Sequence, residues 1–183
     1  MEIDQLRGYQ EASRESALKE MATEISSYNR AFLEITAINE EAIDQYEDWR
    51  SEYDFGWERV LVWKGRPVHA VAIDIAIWYE GVLAGMCWAS PKNSHEKVFV
   101  LYVQRNPDDR LPTRGYIAPL CLSAVRNYGL LLGLSYVVID NPIPQAREAY
   151  EREGFIQLPG IGLAYDLTQD YDWNNDEGPD YDS

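Results

Sequence analysis

Three arginines, Arg105, Arg110 and Arg114, stand close together just ahead of an apolar helix, in a chain whose 16 lysines and arginines face 31 acidic residues. A helix start exposes unpaired amides and the positive end of the helix dipole. Cations beside it compose a site for an anion, and the generic ligand for such a site bears phosphate. The same side chains could instead neutralise Asp108 and Asp109 within their own loop, and the sequence leaves both readings standing. The helix itself is marked by Ile117, Leu120, Cys121, Ala124, Val125 and Tyr128, an apolar stripe at three- and four-residue steps. Pro119 dates its start: lacking an N–H, it must lie in the first turn, so the helix begins at Tyr116 or Ile117. Residues 104–115 are then loop, and Gly129 suits the C-terminal cap.

A second segment places one hydroxyl at a defined position. The apolar run 136–140 is followed by Asn141-Pro-Ile-Pro144 and then by Ala146-Arg-Glu-Ala-Tyr150-Glu-Arg-Glu-Gly154-Phe155. Ala146, Ala149, Tyr150 and Phe155 fall on one side of a short helix of about three turns, while Glu148, Glu151, Arg152 and Glu153 face solvent. Pro142 and Pro144 can only precede or open it, and Gly154 suits the left-handed residue that closes it. On this ground alone, Tyr150 is a half-buried packing residue under a strand.

The elements that must position these groups can be read upstream. Ala17, Met21 and Ile25, then Phe32, Ile35, Ile38, Ala42, Ile43 and Tyr46, recur at helical steps and predict two or three amphipathic helices between residues 10 and 52. Trp57, Val60, Leu61 and Trp63 predict one more, ending near Gly65. The period then switches. Val71, Ile73, Ile75 and Ile77 lie on one face of an extended segment, with Ala70, Ala72, Asp74, Ala76 and Trp78 on the other. Glu80-Gly81 makes the tight turn to a partner strand over 82–89, and 97–103 follows as a third strand, giving an antiparallel meander. The loop, helix and strand over 104–140 then form a right-handed crossover.

Length and composition bound the class. The chain has 183 residues, 46% apolar and 26% charged, which suits one soluble domain with a real core. No run approaches a membrane span and the first residues do not resemble a signal peptide, so the cytoplasm is the expected compartment. Cys87 and Cys121 stand apart in apolar segments, as reduced core residues, and no zinc spacing occurs. A net charge of −15 argues against direct nucleic-acid binding and favours cationic ligands: basic peptides, polyamines or other amines. Seven of the acidic residues lie between Asp166 and Ser183 with no lysine or arginine, which predicts a mobile, solubilising tail.

Taken in order, the hairpin over 76–85, the strand Leu101-Tyr-Val103 leading to Arg110, the helix after Gly115 and the run from Ala146 to Phe155 resemble the GNAT acetyltransferase superfamily. The resemblance spans residues 68–166. It implies an α+β (α/β) fold: a mixed sheet with an antiparallel meander, a central helix crossover and, here, extra N-terminal helices in place of the family's opening strand. Residues 1–67 become a helical segment packed on the same domain, 68–166 an acyl-CoA-binding core, and 167–183 the acidic tail. The implied co-substrate is acetyl-CoA and the implied reaction is acetyl transfer to an amine. Tyr150 takes the place of the tyrosine that protonates the departing thiolate. The backbone of Leu101, Tyr102 and Val103 would hold the pantetheine arm and acetyl oxygen. Gly115, Tyr116, Ile117 and Ala118, beside Arg110 and Arg114, would hold the pyrophosphate, and Asn141 stands near the place of the family's usual asparagine. The phosphate loop departs from the family pattern, with Pro112 at its first position and Ile117 at its last.

No general base is singled out among Asp74, Glu80, His95 and Glu96, and deprotonation through water is an equal alternative. Two other functions compete: a binding protein on the same scaffold with weakened cofactor use, and an acidic mimic of DNA. A loop with open amides favours the enzyme; one closed by Ile117 and Pro112 favours the binding protein. Whether the chain is a monomer or a homodimer stays open.

Overall fold

The computed structural model describes residues 1–21 and 24–171. In chain order the elements are α1 (Ile3–Glu20), α2 (Ser27–Ala31), β1 (Leu33–Thr36), α3 (Glu40–Glu47), α4 (Glu58–Lys64), β2 (Ile73–Tyr79), β3 (Val82–Ser90), β4 (Lys97–Arg105), α5 (Ile117–Leu131), β5 (Tyr136–Ile139), α6 (Arg147–Arg152), β6 (Ile156–Leu158) and β7 (Gly162–Asp166). The seven strands form one mixed sheet in the order β1-β2-β3-β4-β5-β7-β6, in which β4 and β5 alone run parallel. That parallel step needs a crossover, and α5 supplies it. The β2–β3 hairpin closes through Glu80 and Gly81 at φ 48° and 77°, the left-handed pair that a two-residue turn requires.

Both faces of β2 are buried, as its sequence period requires. Ile73, Ile75, Ile77 and Tyr79 enter a core shared with α1, α5 and Tyr150, while Ala72, Ala76 and Trp78 enter an aromatic-rich core beneath α3 and α4. Asp74 points into the second layer yet is buried, and it is fully engaged. Arg14 Nη2 lies 3.2 Å from Oδ1, Lys64 Nζ lies 2.8 Å from Oδ2, and the Ile38 amide donates to Oδ2 at 2.7 Å. One carboxylate thereby ties α1, α4 and the segment before α3 to the central hairpin. Asp74 serves as a structural anchor and is no base.

Several expectations are corrected. The first third is not all helical: β1 pairs with β2 over Leu33 to Thr36 and supplies an opening edge strand. Asn39 Oδ1 accepts the Ala42 amide and so starts α3 only at Glu40, which leaves Ile35 and Thr36 to the sheet. Strand β4 runs on through Gln104 and Arg105, two residues beyond the expected end. Gly129 is no cap. It lies inside α5, where a Cβ would come within 2.7 Å of Leu167, so its smallness permits close packing; Gly133, at φ 71°, follows the helix end instead. The tyrosine helix is shorter than three turns, because Pro144–Ala146 forms a 3-10 turn ahead of the six-residue α6. The start of the expected tail is packed. Leu167 is buried and the Tyr171 hydroxyl donates to the Leu134 carbonyl at 2.8 Å, while residues 172–183 lie outside the described residues. Among the described residues, no helix is long and apolar enough to cross a membrane.

Candidate active site

Parallel pairing between β4 and β5 is brief. It covers Lys97 to Val100 against Tyr136 to Ile139, with the Asp140 amide bonded to the Val100 carbonyl at 3.0 Å. Beyond that point β5 leaves through Asn141, whose φ is 47°, and no described strand lies beside that edge of β4 from Leu101 to Arg105. A bulge adds to the divergence: Trp88 faces Tyr102 and Ala89 faces Val100, so Leu101 is the extra residue and the end of β4 twists away. The strands therefore splay, and their unpaired main-chain edge is available to a ligand.

A groove of about 490 Å³ opens at the splay. Val103 and Arg105 come from β4, residues 114–119 from the loop and the start of α5, and Ala149, Tyr150 and Glu153 from the α6 region. The helix start carries no side-chain cap. Tyr116 bonds back to the Thr113 carbonyl and Leu120 to the Tyr116 carbonyl, but among the described residues the Gly115, Ile117 and Ala118 amides find no acceptor, and Pro119 has none to offer. Gly115 sits at φ 86° with open space where a Cβ would be. The Ile117 side chain does not block this end. It is buried, packed so closely on Gly85 of β3 that a Cβ there would lie 2.4 Å from it, and Pro112 is exposed away from the groove. The loop is open, and the departure from glycine at Ile117 is absorbed by the core.

Tyr150 is 9% exposed and rests against Phe155, with ring centres 6.2 Å apart. Its hydroxyl makes no hydrogen bond among the described residues, although it lines the groove. Burial pushes the phenol up to about 12, with the nearby Cys87 and Cys121 thiols adding to the shift. At neutral pH the group is a protonated donor without a partner.

All three loop arginines pair with Asp108 or Asp109, as one of the two sequence readings expects. Arg105 and Arg114 line the groove, yet they share Asp109 at 3.0 and 3.8 Å. Arg110 is turned to a separate surface cavity and grips Asp108 through two contacts of 2.9 Å, which holds that carboxyl down at about 2. Leu101 and Tyr102 do not line the groove; their side chains pack into the aromatic core on the other side of the sheet, where the Tyr102 and Phe55 ring centres are 5.4 Å apart. Asn141 is exposed and does not line it. Glu80 sits in the hairpin turn, while His95 and Glu96 lie in the connection before β4, and none of them borders the groove.

Two groove residues carried no signal in the sequence. The connection after α1 brings Glu24 to the rim, where its carbonyl accepts from the Tyr116 hydroxyl at 3.3 Å. Glu153 is raised by burial and by Glu24, against the pull of Arg126. A second cavity, of about 360 Å³, shares Val103 and Arg105 with the groove and is otherwise bounded by the segment from Arg50 to Phe55 and by Ile143. Gln104 fixes that segment, accepting from Trp57 Nε1 at 2.7 Å and donating to Ser51 Oγ and the Tyr53 carbonyl. No group of three His, Cys, Asp or Glu side chains able to hold a metal occurs among the described residues.

No protein-family model matches the sequence, and no curated protein matches it. Solved structures do. A putative acetyltransferase of the GNAT family from Desulfovibrio desulfuricans superposes with a TM-score of 0.56 at 14% identity, covering 74% of this chain and 98% of that one. The aminoglycoside 6'-N-acetyltransferase from Enterococcus faecium gives 0.54 at 14% identity, over 73% and 97% of the two chains. A putative acetyltransferase from Salmonella typhimurium with its cofactor acetyl-CoA gives 0.51 at 14% identity, over 74% and 94%. By overall superposition, this chain has the GNAT acetyltransferase fold.

Proposed function

We propose that the protein is an acetyl-CoA-dependent N-acetyltransferase that acts on an amine and uses Tyr150 as the general acid. One observation carries this reading: an unpartnered, protonated hydroxyl and an uncapped helix start with three unbonded amides meet in a single groove beside unpaired strand edge. Acetyl-CoA would supply an activated acyl group on a thiol leaving group. The Gly115, Ile117 and Ala118 amides suit its pyrophosphate, and the edge of β4 from Leu101 to Val103 suits the pantetheine amides. Arg105 and Arg114 add cations that Asp109 partly offsets.

The acceptor would arrive from the second cavity, on the other side of the β4 end. Its amine nitrogen forms a bond to the acetyl carbon as the carbon–sulfur bond breaks. Tyr150 gives its proton to the sulfur and regains one from solvent, while the nitrogen loses its proton to water. Net charge favours a cationic acceptor, a basic peptide or polyamine, over any nucleic acid.

A binding role on the same scaffold draws support from the arginine–aspartate pairs, which leave the phosphate loop nearly neutral. The open amides and the inward Ile117 favour the enzyme. Thiol release from acetyl-CoA across a panel of primary amines separates the two readings. Turnover with at least one amine is expected, and none with any amine would leave the binding protein.

A further inference from the structure

The start of α1 and the connection between α4 and β2 enclose a cavity of about 470 Å³ at the end of β2 remote from its hairpin. Its lining is unlike the rest of this acidic surface. Arg7, Lys64, Arg66 and His69 all border it, and the one lining carboxylate is Asp74. That carboxylate has no capacity left. Arg14 takes one oxygen, while Lys64 and the Ile38 amide take the other. Glu11 also acts on Arg14, so the group of Asp74, Arg14, Lys64 and Glu11 is balanced and the excess charge of the rim is that of Arg7 and Arg66. Arg66 has no acidic partner among the described residues, and the only one for Arg7 is Asp4, 3.9 Å away with both side chains exposed, a contact worth little.

The candidate active-site groove differs: Arg105 and Arg114 share Asp109 there, and Glu24 and Glu153 stand on the same walls. In a chain of net charge −15, cations left uncompensated around one concavity focus a positive potential there. Between these cations the accessible lining is largely apolar. Ile3, Pro67 and Ala70 are exposed there, above Leu6, Ala72 and Trp88, which are buried, and His69 stands against Trp63 and Trp88 with ring centres 5.9 and 6.1 Å away. A cationic rim over an apolar floor selects an anion that carries an apolar body; a bare inorganic anion would leave the floor unused.

We propose that this cavity is a binding site for a small carboxylic acid with an apolar body of about one ring. The carboxylate would lie between Arg66 and Lys64, and the body against Ile3 and Pro67, above the buried Leu6 and Trp88. An arginine fork without a partner matches a carboxylate bidentately, and Lys64 contributes a second charge without giving up Asp74.

Titration with phenylacetate, followed by calorimetry and by tryptophan fluorescence, tests the site. The expected result is saturable binding at millimolar probe or below, about tenfold or more weaker for uncharged phenylacetamide and for inorganic phosphate. Arg66→Glu, with native circular dichroism and melting temperature as a check on folding, should weaken phenylacetate by about tenfold or more. If Arg66→Glu proves poorly folded, Arg7→Glu on the same rim gives the same reading. The proposal is overturned by absence of saturable binding, by equal binding of phenylacetamide, by phosphate binding as tightly as phenylacetate, or by unchanged affinity in folded rim variants.

Discussion

Tyr150 owes its chemistry to burial. The ring packs against Phe155 in the core shared with α5, Tyr150 lines the groove, and its hydroxyl makes no hydrogen bond among the described residues. Removing it should therefore cost the fold little. Tyr150→Phe is expected to shift stability by less than about 1 kcal/mol and to leave acetyl-CoA affinity nearly unchanged, while kcat for acetyl transfer falls by about a hundredfold or more. Thermal melts and steady-state thiol release check both halves, and unaltered kcat would remove the assigned role. The raised phenol has a second consequence. Tyr150 and Tyr128, each pushed up to about 12 chiefly by burial, are neutral in the fold at pH values where the unfolded chain is already ionised. Their contribution is complete below pH 10 and is lost as pH climbs toward 12. Alkaline unfolding followed by circular dichroism should thus steepen above pH 10, and Tyr150→Phe should flatten part of that slope. The sequence marked Tyr150 by its place before Gly154-Phe155, but the missing hydrogen bond and the thiols beside it depend on β3 and α5, distant in sequence. The carboxylates of Glu24 and Glu153 at the groove were invisible for the same reason.

The start of α5 does most to shape the groove, and it is fixed from two directions. Pro119 sets where the helix can begin, a local rule that the sequence states outright. Gly85 sets how closely that start approaches β3, since the Ile117 side chain fills the place of the missing Cβ. Gly85→Ala would force Ile117 and the helix end outward. It is expected to destabilise the protein by about 1–3 kcal/mol and to weaken acetyl-CoA binding severalfold, measured by denaturant melts and titration. An unchanged melt would mean that the contact yields cheaply. The meander, its turn and the crossover helix were legible because strand and helix periods are local. Strand β1 is hidden because Phe32, Ile35 and Ile38 imitate a helical stripe, while the pairing that puts Ile35 in a strand comes from β2 some forty residues later. Gly129 is hidden in the same way: a glycine near a helix end resembles a cap, and only the fold packs Leu167 on it.

At the scale of the whole molecule, Asp74 joins what the chain separates. Its buried carboxylate ties α1 and α4 to the sheet, and desolvation drags down the Arg14 guanidinium that pairs with it. Asp74→Ala strands Arg14 in the core and is expected to cost about 3–5 kcal/mol, read as a lowered denaturation midpoint with a similar m-value. A loss below about 1 kcal/mol would show that Arg14 reaches solvent. No pattern in the sequence paired these residues, since Arg14 and Asp74 lie sixty positions apart. The same assembly of distant parts makes the groove, in which β4, the start of α5 and α6 converge only after the sheet has formed. The proposed activity requires that groove to hold acetyl-CoA through the loop between Arg105 and Ala118. Calorimetric titration of acetyl-CoA into the native chain and into Arg114→Glu tests it directly. Saturable binding, weakened about tenfold by the charge reversal, is the predicted result; no binding at millimolar acetyl-CoA, or identical titrations of the two proteins, would contradict it.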